Sequence, residues 1–522
     1  MQTVQLILTP RQAADEQTIR KAAATFLQLP YDALYGYRIV KRSVDARQRQ
    51  LKVLLTLQVF LSEQDVALPA YEAPQYQDVH HADHQVLIIG CGPAGLFAAL
   101  TLLEKGIRPV IIERGKEVSE RKRDIALLNR NEGLSLESNY CFGEGGAGTF
   151  SDGKLFSRSK KRGNMQRVME LFHYHGADDT VLYEAHPHIG SDKLPRIIRH
   201  IRETVLSHGG EIHFSEKMTA PLLEGNRIVG ILTEKGNTYH GDAVILAIGH
   251  SAHDTYSVLH RSGIRLEAKG FAMGVRVEHP QSLINSLMYH TDVLPEGLEN
   301  AAYSLVTQVD GRGVYSFCMC PGGHIVPAGS SWESCVVNGM SSSGRNSRFA
   351  NSGMVVEVHP EDLPDEYRQY GALAGLHFQQ DMEHLAYLHG AAPSVAPAQR
   401  LTDFVQGRKS GTLPACSYLP GLRSSRLDQW LPPFIVKRLQ QGFRDFDRNY
   451  LGYLSPEALM VGVESRSSAA VRIPRDSETL QHTDIRSLYP CGEGAGYAGG
   501  ITSSALDGIR VATAIAVNLL SE

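Results

Sequence analysis

Paired cysteines, long apolar runs and an excess of either charge are all missing from this chain, and each absence removes a class of protein. The seven cysteines, Cys91, Cys141, Cys318, Cys320, Cys335, Cys416 and Cys491, are odd in number and scattered. None forms a C-x-x-C pair, which argues against a zinc ribbon or a disulfide scaffold and leaves reduced thiols as the expectation, with no metal site assigned. No apolar run approaches the roughly 18 residues of a membrane span. The first residues, Met1 to Pro10, lack the basic region, apolar core and cleavage site of a secretory signal, so a soluble, cytoplasmic protein without a membrane partner is expected. Lys plus Arg number 52 against 56 Asp plus Glu. No global field therefore favours nucleic acid or an anionic surface. No repeat of solenoid period is present. At 522 residues the chain holds more than one domain of about 150 residues, and two to four are expected.

What is present begins at Val86-Leu87-Ile88-Ile89-Gly90-Cys91-Gly92-Pro93-Ala94-Gly95, an apolar strand running into G-x-G-x-x-G. In that pattern Gly90 permits the tight turn, Gly92 lets backbone amides approach a pyrophosphate, and Gly95 lets the next helix lie on the strand. Helix formers from Leu96 to Lys105 end at Gly106, and a second short strand, Pro109 to Ile112, leads to Glu113 and Arg114. Glu113 lies about 20 residues past the loop, where a carboxylate accepts hydrogen bonds from an adenosine ribose and repels a 2′-phosphate.

The first 83 residues read as a small α/β module: strand Val4 to Leu8, helix Ala14 to Leu27, strands Tyr37 to Ser43 and Leu51 to Leu61, then a linker. Lys41, Arg42, Arg47 and Arg49 make its second strand basic, open to RNA, to acidic protein or to solvent alone. Residues 139–155 carry too many glycines for a helix or strand interior and suit the close approach of backbone to a flat ligand, making Gly145, Gly146, Gly148 and Thr149 candidate contacts. A solvated loop is expected at Ser159 to Gly163, a helix from Leu194 to His208, and strands ending at Gly249. Between about Phe271 and Val463 the character changes to mixed strands, with a helix from Pro433 to Phe446. The late strand Leu488-Tyr489-Pro490-Cys491-Gly492-Glu493 then enters a glycine-rich turn and a terminal helix from Ser503 to Leu520. The expected architecture is α/β, a doubly wound dinucleotide fold in two parts, 84–270 and 464–522, interrupted by an inserted mixed α/β domain, 271–463, and preceded by the module and linker, 1–83.

On the loop at Gly90 with Glu113, the strand end at Gly249 and the late segment through Glu493, the chain resembles the FAD-binding oxidoreductases of the glutathione-reductase-like superfamily. Over nearly its whole length it looks like a bacterial family loosely called FAD-dependent dehydrogenases. The carrying segments are Tyr37 to Arg47, Cys141 to Leu155 and Val471-Arg472-Ile473-Pro474-Arg475-Asp476. The resemblance implies bound FAD, with Gly492, Glu493, Gly499, Gly500 and Ile501 at the ribityl phosphate and flavin edge, and an unidentified small substrate. No second G-x-G-x-x-G follows a strand, so NAD(P)H is implied at most as a transient electron donor without its own motif.

Candidates for the chemistry are few because the flavin does most of it. Cys318-Met319-Cys320 reads as an electron relay or a pair of ligands for a soft metal, or else as two small thiols on one strand face. His324 reads as a general acid or base, or as a loop histidine. Arg345 and Arg348, in a Ser- and Asn-rich segment, read as anchors for an anionic substrate or as part of a surface loop. A flavin-dependent RNA-modifying or RNA-binding factor is the alternative function, carried by the basic hairpin at Arg42 and the loop at Ser159 to Arg162.

Overall fold

The computed structural model describes residues 2–62, 70–156, 163–390, 392 and 394–521. At the start, β1 (Gln2–Leu8), α1 (Glu16–Phe26), β2 (Gly36–Asp45) and β3 (Lys52–Phe60) form an antiparallel sheet in the order β1-β3-β2 with a helix on one face. Alternation places Val53, Leu55, Leu57 and Val59 inward against Ile19 and Ala23. The expected helix from Ala14 divides at Asp15, whose extended backbone closes the short helix Pro10–Ala14. Its carboxylate accepts from Thr18 N at 2.9 Å and so caps α1. Arg42, offered by the sequence as a nucleic-acid contact, is spent within the molecule: Nη1 donates to Glu184 Oε1 and Nη2 to Gly297 O, both at 2.8 Å. Arg47 is likewise turned back onto Asp45. Residues 159–162 of the other basic segment lie outside the described residues.

The second unit opens with β4 (Gln85–Ile89), α2 (Pro93–Glu104), β5 (Arg108–Ile112), α3 (Leu194–Ser207), β6 (Glu211–His213) and β7 (Ala243–Leu246). A small antiparallel sheet of Met218–Glu224, Arg227–Thr233 and Thr238–His240 precedes β7. Next comes a sheet of β8 (Phe271–Pro280), β9 (Val306–Val309), β10 (Arg312–Cys320), β11 (Phe349–Val358), β12 (Ala396–Arg400), β13 (Leu422–Ser424) and β14 (Leu459–Glu464). It is ordered β9-β10-β11-β8-β14-β12-β13 and is antiparallel apart from the β12–β13 pair. Helices α4 (Ala374–Gly390) and α5 (Pro433–Asn449) cover it, burying Phe378, Leu439 and Phe443 against Met273, Val275 and Val356. The chain returns through β15 (Leu488–Pro490) to α6 (Ile501–Leu520).

The returning strand completes an all-parallel sheet, β15-β7-β4-β5-β6. Its strands are near-continuous apolar runs because both faces are covered. Val86, Ile88 and Ile111 face α2, α3 and α6, while Leu87, Ile89 and Val110 face the small sheet and its neighbours. Among the described residues α6 is the helix long and apolar enough to cross a membrane. Here its Ala505, Val511, Ala512 and Ile515 are buried in the core. Gly508 lets it press on α2, since a Cβ there would stand 2.1 Å from Ala94 O.

Candidate functional site

A cavity of about 600 Å³ starts at the carboxyl ends of β4, β5 and β7 and reaches the inserted sheet. Ligands of α/β sheets bind outside the carboxyl ends of parallel strands, so the position follows from topology. At its inner end the wall is Gly90, Gly92, Pro93 and Ala94, the mouth of α2. The glycines differ in role. Gly90 has φ +106 and a Cβ would lie 2.4 Å from Ala247 O, whereas a Cβ on Gly95 would strike Gly90 O at 2.1 Å. Gly92 meets nothing nearer than 3.8 Å, so its backbone opens onto the cavity. The first amides of a helix lack intrahelical partners and carry the positive end of its dipole, which suits an anionic diphosphate.

Glu113 stands in the wall with Arg114. Its carboxylate also braces the loop from behind: Oε2 accepts from Cys91 N at 2.8 Å, and Oε1 accepts from Gly115 N at 2.8 Å and Gly143 N at 3.0 Å. Arg114 is fixed bidentate on Asp254 at 2.8 and 2.9 Å, its guanidinium over the Phe142 ring. The glycine-rich stretch contributes Cys141 to Gly143 and Gly146 to Gly148. Its shape comes from a residue the sequence reading passed over. The fully buried Arg121 donates to the carbonyls of Asn139, Tyr140, Gly143 and Glu144 at 2.7 to 3.2 Å. Gly145 and Thr149 stand behind the wall: Gly145 N donates to Cys91 O at 2.8 Å and Thr149 Oγ1 to Glu144 O at 3.0 Å.

The late turn closes another side with Cys491, Glu493, Gly499, Gly500 and Ile501, and Gly249 faces them. A Cβ on Gly249, Gly499 or Gly500 would meet nothing within 4 Å, so these positions form a cradle toward the cavity. The N-terminus of α6 opens there. Gly492 lies behind, its amide donating to Asp507 Oδ2 at 2.8 Å, and Asp507 is held bidentate by the buried Arg475. His250, directly after Gly249 and 3.5 Å from Glu493, also lines the cavity. The rule that used the strand end at Gly249 could have found it.

From the insertion come Phe317 and Cys318 of β10 and Asn338 of the hairpin strand Val337–Ser341, facing Asp152, Lys154 and Arg466. Lys154 Nζ is 2.9 Å from Asp152, whose other partner is Arg345 at 2.7 Å. Burial would raise the Asp152 carboxyl, but those two cations outweigh it and hold it well below the usual range. Arg466 is paired in the same manner with Glu383 at 2.6 Å, both almost fully buried. Arg345 is therefore occupied by Asp152 and Glu299 rather than offered to a ligand. Arg348 is exposed over the Phe349 ring and lines no part of the cavity. His324 is exposed on the hairpin of Gly323–Pro327 with Val337–Ser341, outside the wall. Cys320 lies just behind Cys318.

A buried Ser251 Oγ and Glu216 Oε2 in this wall have no protein partner. With the open glycines and two helix mouths, they fit an adenine dinucleotide carrying a diphosphate.

Residues 83–130 match the model of an FAD binding domain, and 270–467 that of a domain described as FAD-dependent protein, C-terminal domain-like. Residues 1–60 match a domain of unknown function. The cofactor is FAD. An uncharacterised protein of Clostridium beijerinckii is 38% identical over 95% of each chain. Among solved structures, tetracycline destructase Tet(55) aligns at 11% identity and a TM-score of 0.36, covering 85% of this chain and 82% of that one. CtdE in complex with FAD aligns at 10% and 0.31, covering 83% and 84%. A geranylgeranyl bacteriochlorophyll reductase-like protein of Thermoplasma acidophilum aligns at 12% and 0.34, covering 84% and 79%. Likeness of that order carries no functional argument.

Proposed function

Because the chain belongs to one family with the Clostridium beijerinckii protein and binds FAD, we propose that it is an FAD-dependent oxidoreductase acting on a small molecule. The observation that carries this reading is the cavity itself, which joins the dinucleotide end of the parallel sheet to a wall where Asp152, Lys154 and Arg466 face Phe317 and Cys318 of the inserted sheet. Bound there, the flavin supplies hydride or single-electron transfer. The protein's part is binding and orientation. Gly90, Gly92 and Ala94 present the mouth of α2 to the diphosphate, while Glu113 keeps the loop in shape. Gly499, Gly500 and the start of α6 turn a positive helix end toward the cavity, where it would stabilise negative charge on a reduced flavin. Lys154, a third of its side chain exposed at the cavity beside its partner Asp152, gives the opposite wall a cation that suits an anionic substrate, while Arg466 stays paired with Glu383. His250, held beside Glu493, is a group of suitable chemistry to hold or pass a proton. The donor put to the test is a nicotinamide without a binding motif of its own.

Gly92→Val tests the reading because the added side chain enters open cavity and no packed neighbour stands close. The purified wild type is expected to show flavin absorbance, and the variant to be folded by circular dichroism yet colourless. A yellow variant with full occupancy overturns the assignment. Anaerobic mixing with NADH and NADPH then identifies the donor by bleaching.

A further inference from the structure

We propose that Cys318 and Cys320 form a redox-active dithiol that exchanges two electrons with the flavin, an inference resting on the flavin reading of the cavity. Cys318, beside Phe317 on β10, brings the inserted sheet to the cavity wall. On a regular strand, residues two apart share a face but are held apart by the extended backbone. Here the strand is broken. The register of β10 on β11 slips between Phe317 and Cys320, and Cys318 has φ +46, a left-handed conformation unusual for a residue with a side chain. Such a conformation persists where the surroundings impose it. The kink turns Cys320 back on Cys318, whose carbonyl accepts from Cys320 Sγ at 3.2 Å, and sets the two thiols beside each other.

The surroundings of Cys320 are unlike those of a packing thiol. Lys154 Nζ lies 3.8 Å and Arg276 Nη2 3.6 Å from its sulfur. The hydrogen bond with Cys318, followed by these two cations, holds the Cys320 thiol below its usual range against burial. The same hydrogen bond and burial push Cys318 up. One partner is thus ready as thiolate and the other as thiol, the arrangement thiol–disulfide chemistry uses. Lys154 and Arg276 are themselves anchored, on Asp152 and on Glu464 with Asn351. In the forward direction an S–S bond forms between the two sulfurs and the Cys318 S–H bond breaks. Two electrons and that proton pass to an oxidised flavin. The reverse direction opens the disulfide with the same electrons and proton.

The test uses the full-length holoprotein. After diamide treatment, alkylation and tryptic mass spectrometry, the fragment 313–345 should have lost two alkylatable thiols, Cys318 and Cys320, with Cys335 still labelled. Anaerobic dithionite titration of this oxidised protein should consume about four electrons per flavin, against about two in Cys318→Ser, because each couple takes a pair. Flavin absorbance confirms that the variant retains its cofactor and fold. Labelling of both thiols after diamide, or consumption of about two electrons by both proteins, overturns the dithiol while leaving the oxidoreductase reading intact. A flavin that dithionite reduces only with loss from the protein counts against that reading instead.

Discussion

At the Gly90 end of the cavity the wall is mostly backbone, and the side chains that matter stand behind it. Glu113, Arg121 and Asp507 each grip amides or carbonyls of the turns that face the ligand. At the Cys318 end the wall is side chains, and they grip one another: Asp152 with Lys154 and Arg345, Arg466 with Glu383, Arg276 with Glu464 and Cys320. The first construction presents N–H groups at fixed positions and binds a cofactor that is the same in every turnover. The second concentrates charge and sulfur where a substrate must arrive, at the expense of burying ions. Buried ion pairs occur at the cofactor end too, Asp507 with Arg475, but there the carboxylate grips the amide of Gly492 and does not face the ligand.

The largest effect expected from breaking this contrast lies at the backbone-built end. Arg121→Leu removes one guanidinium that serves four carbonyls with no exposure to water. Leaving even one such group unpaired costs about 1–3 kcal/mol, so a loss of at least about 3 kcal/mol is expected, with the glycine-rich loop and the flavin released together. Thermal melts followed by both circular dichroism and flavin fluorescence check it. A variant that melts like the wild type with its flavin in place would show that the loop holds its own shape.

Asp152→Asn probes the other end and should cost less, about 2 kcal/mol at neutral pH, since the amide keeps part of the hydrogen bonding to Arg345. The folded carboxyl sits below its unfolded value, near 3.9 for an aspartate. Its contribution is therefore complete above that value and is lost as pH falls toward the folded one. Urea midpoints of the wild type should drop between pH 5 and pH 3, and the variant, lower at pH 7, should lose less over the same interval. Parallel acid limbs would mean that Asp152 is not the group that couples the two parts of the chain.

The same contrast explains what could be read from the chain. Gly90, Gly92, Gly95 and Glu113 are close in sequence, their spacing is dictated by one turn, and the strand and helix around them carry their own apolar patterns. Both faces of the parallel sheet, the inserted sheet and the late strand were legible for that reason. Arg121 was not, because its targets are carbonyls of Asn139 to Glu144, and no residue type marks a carbonyl that needs a donor. Lys154 and His250 were missed for a related reason: their partners lie up to hundreds of positions away, and only the fold brings them together. The alternation rule that put Cys318 and Cys320 on one strand face did not anticipate the bulge.

The smallest effect separates two arginines that the sequence could not rank. Arg345 and Arg348 share one polar segment, and both read as anchors for an anion. The fold buries Arg345 against Asp152 and leaves Arg348 in solvent, its guanidinium 4.9 Å from the centre of the Phe349 ring. The backbone at Arg348 is fixed independently of its side chain, since its carbonyl accepts from Gln281 N at 2.9 Å. What Arg348→Ala removes is then an exposed cation–π contact, about 0.5–1 kcal/mol at most. Flavin content and the rate of flavin reduction by the donor that works should not change. A rise in KM for an anionic substrate in this variant, with kcat unaltered, would place substrate entry along the Arg348 side of the insertion and would extend the charged wall beyond Lys154 and Arg466.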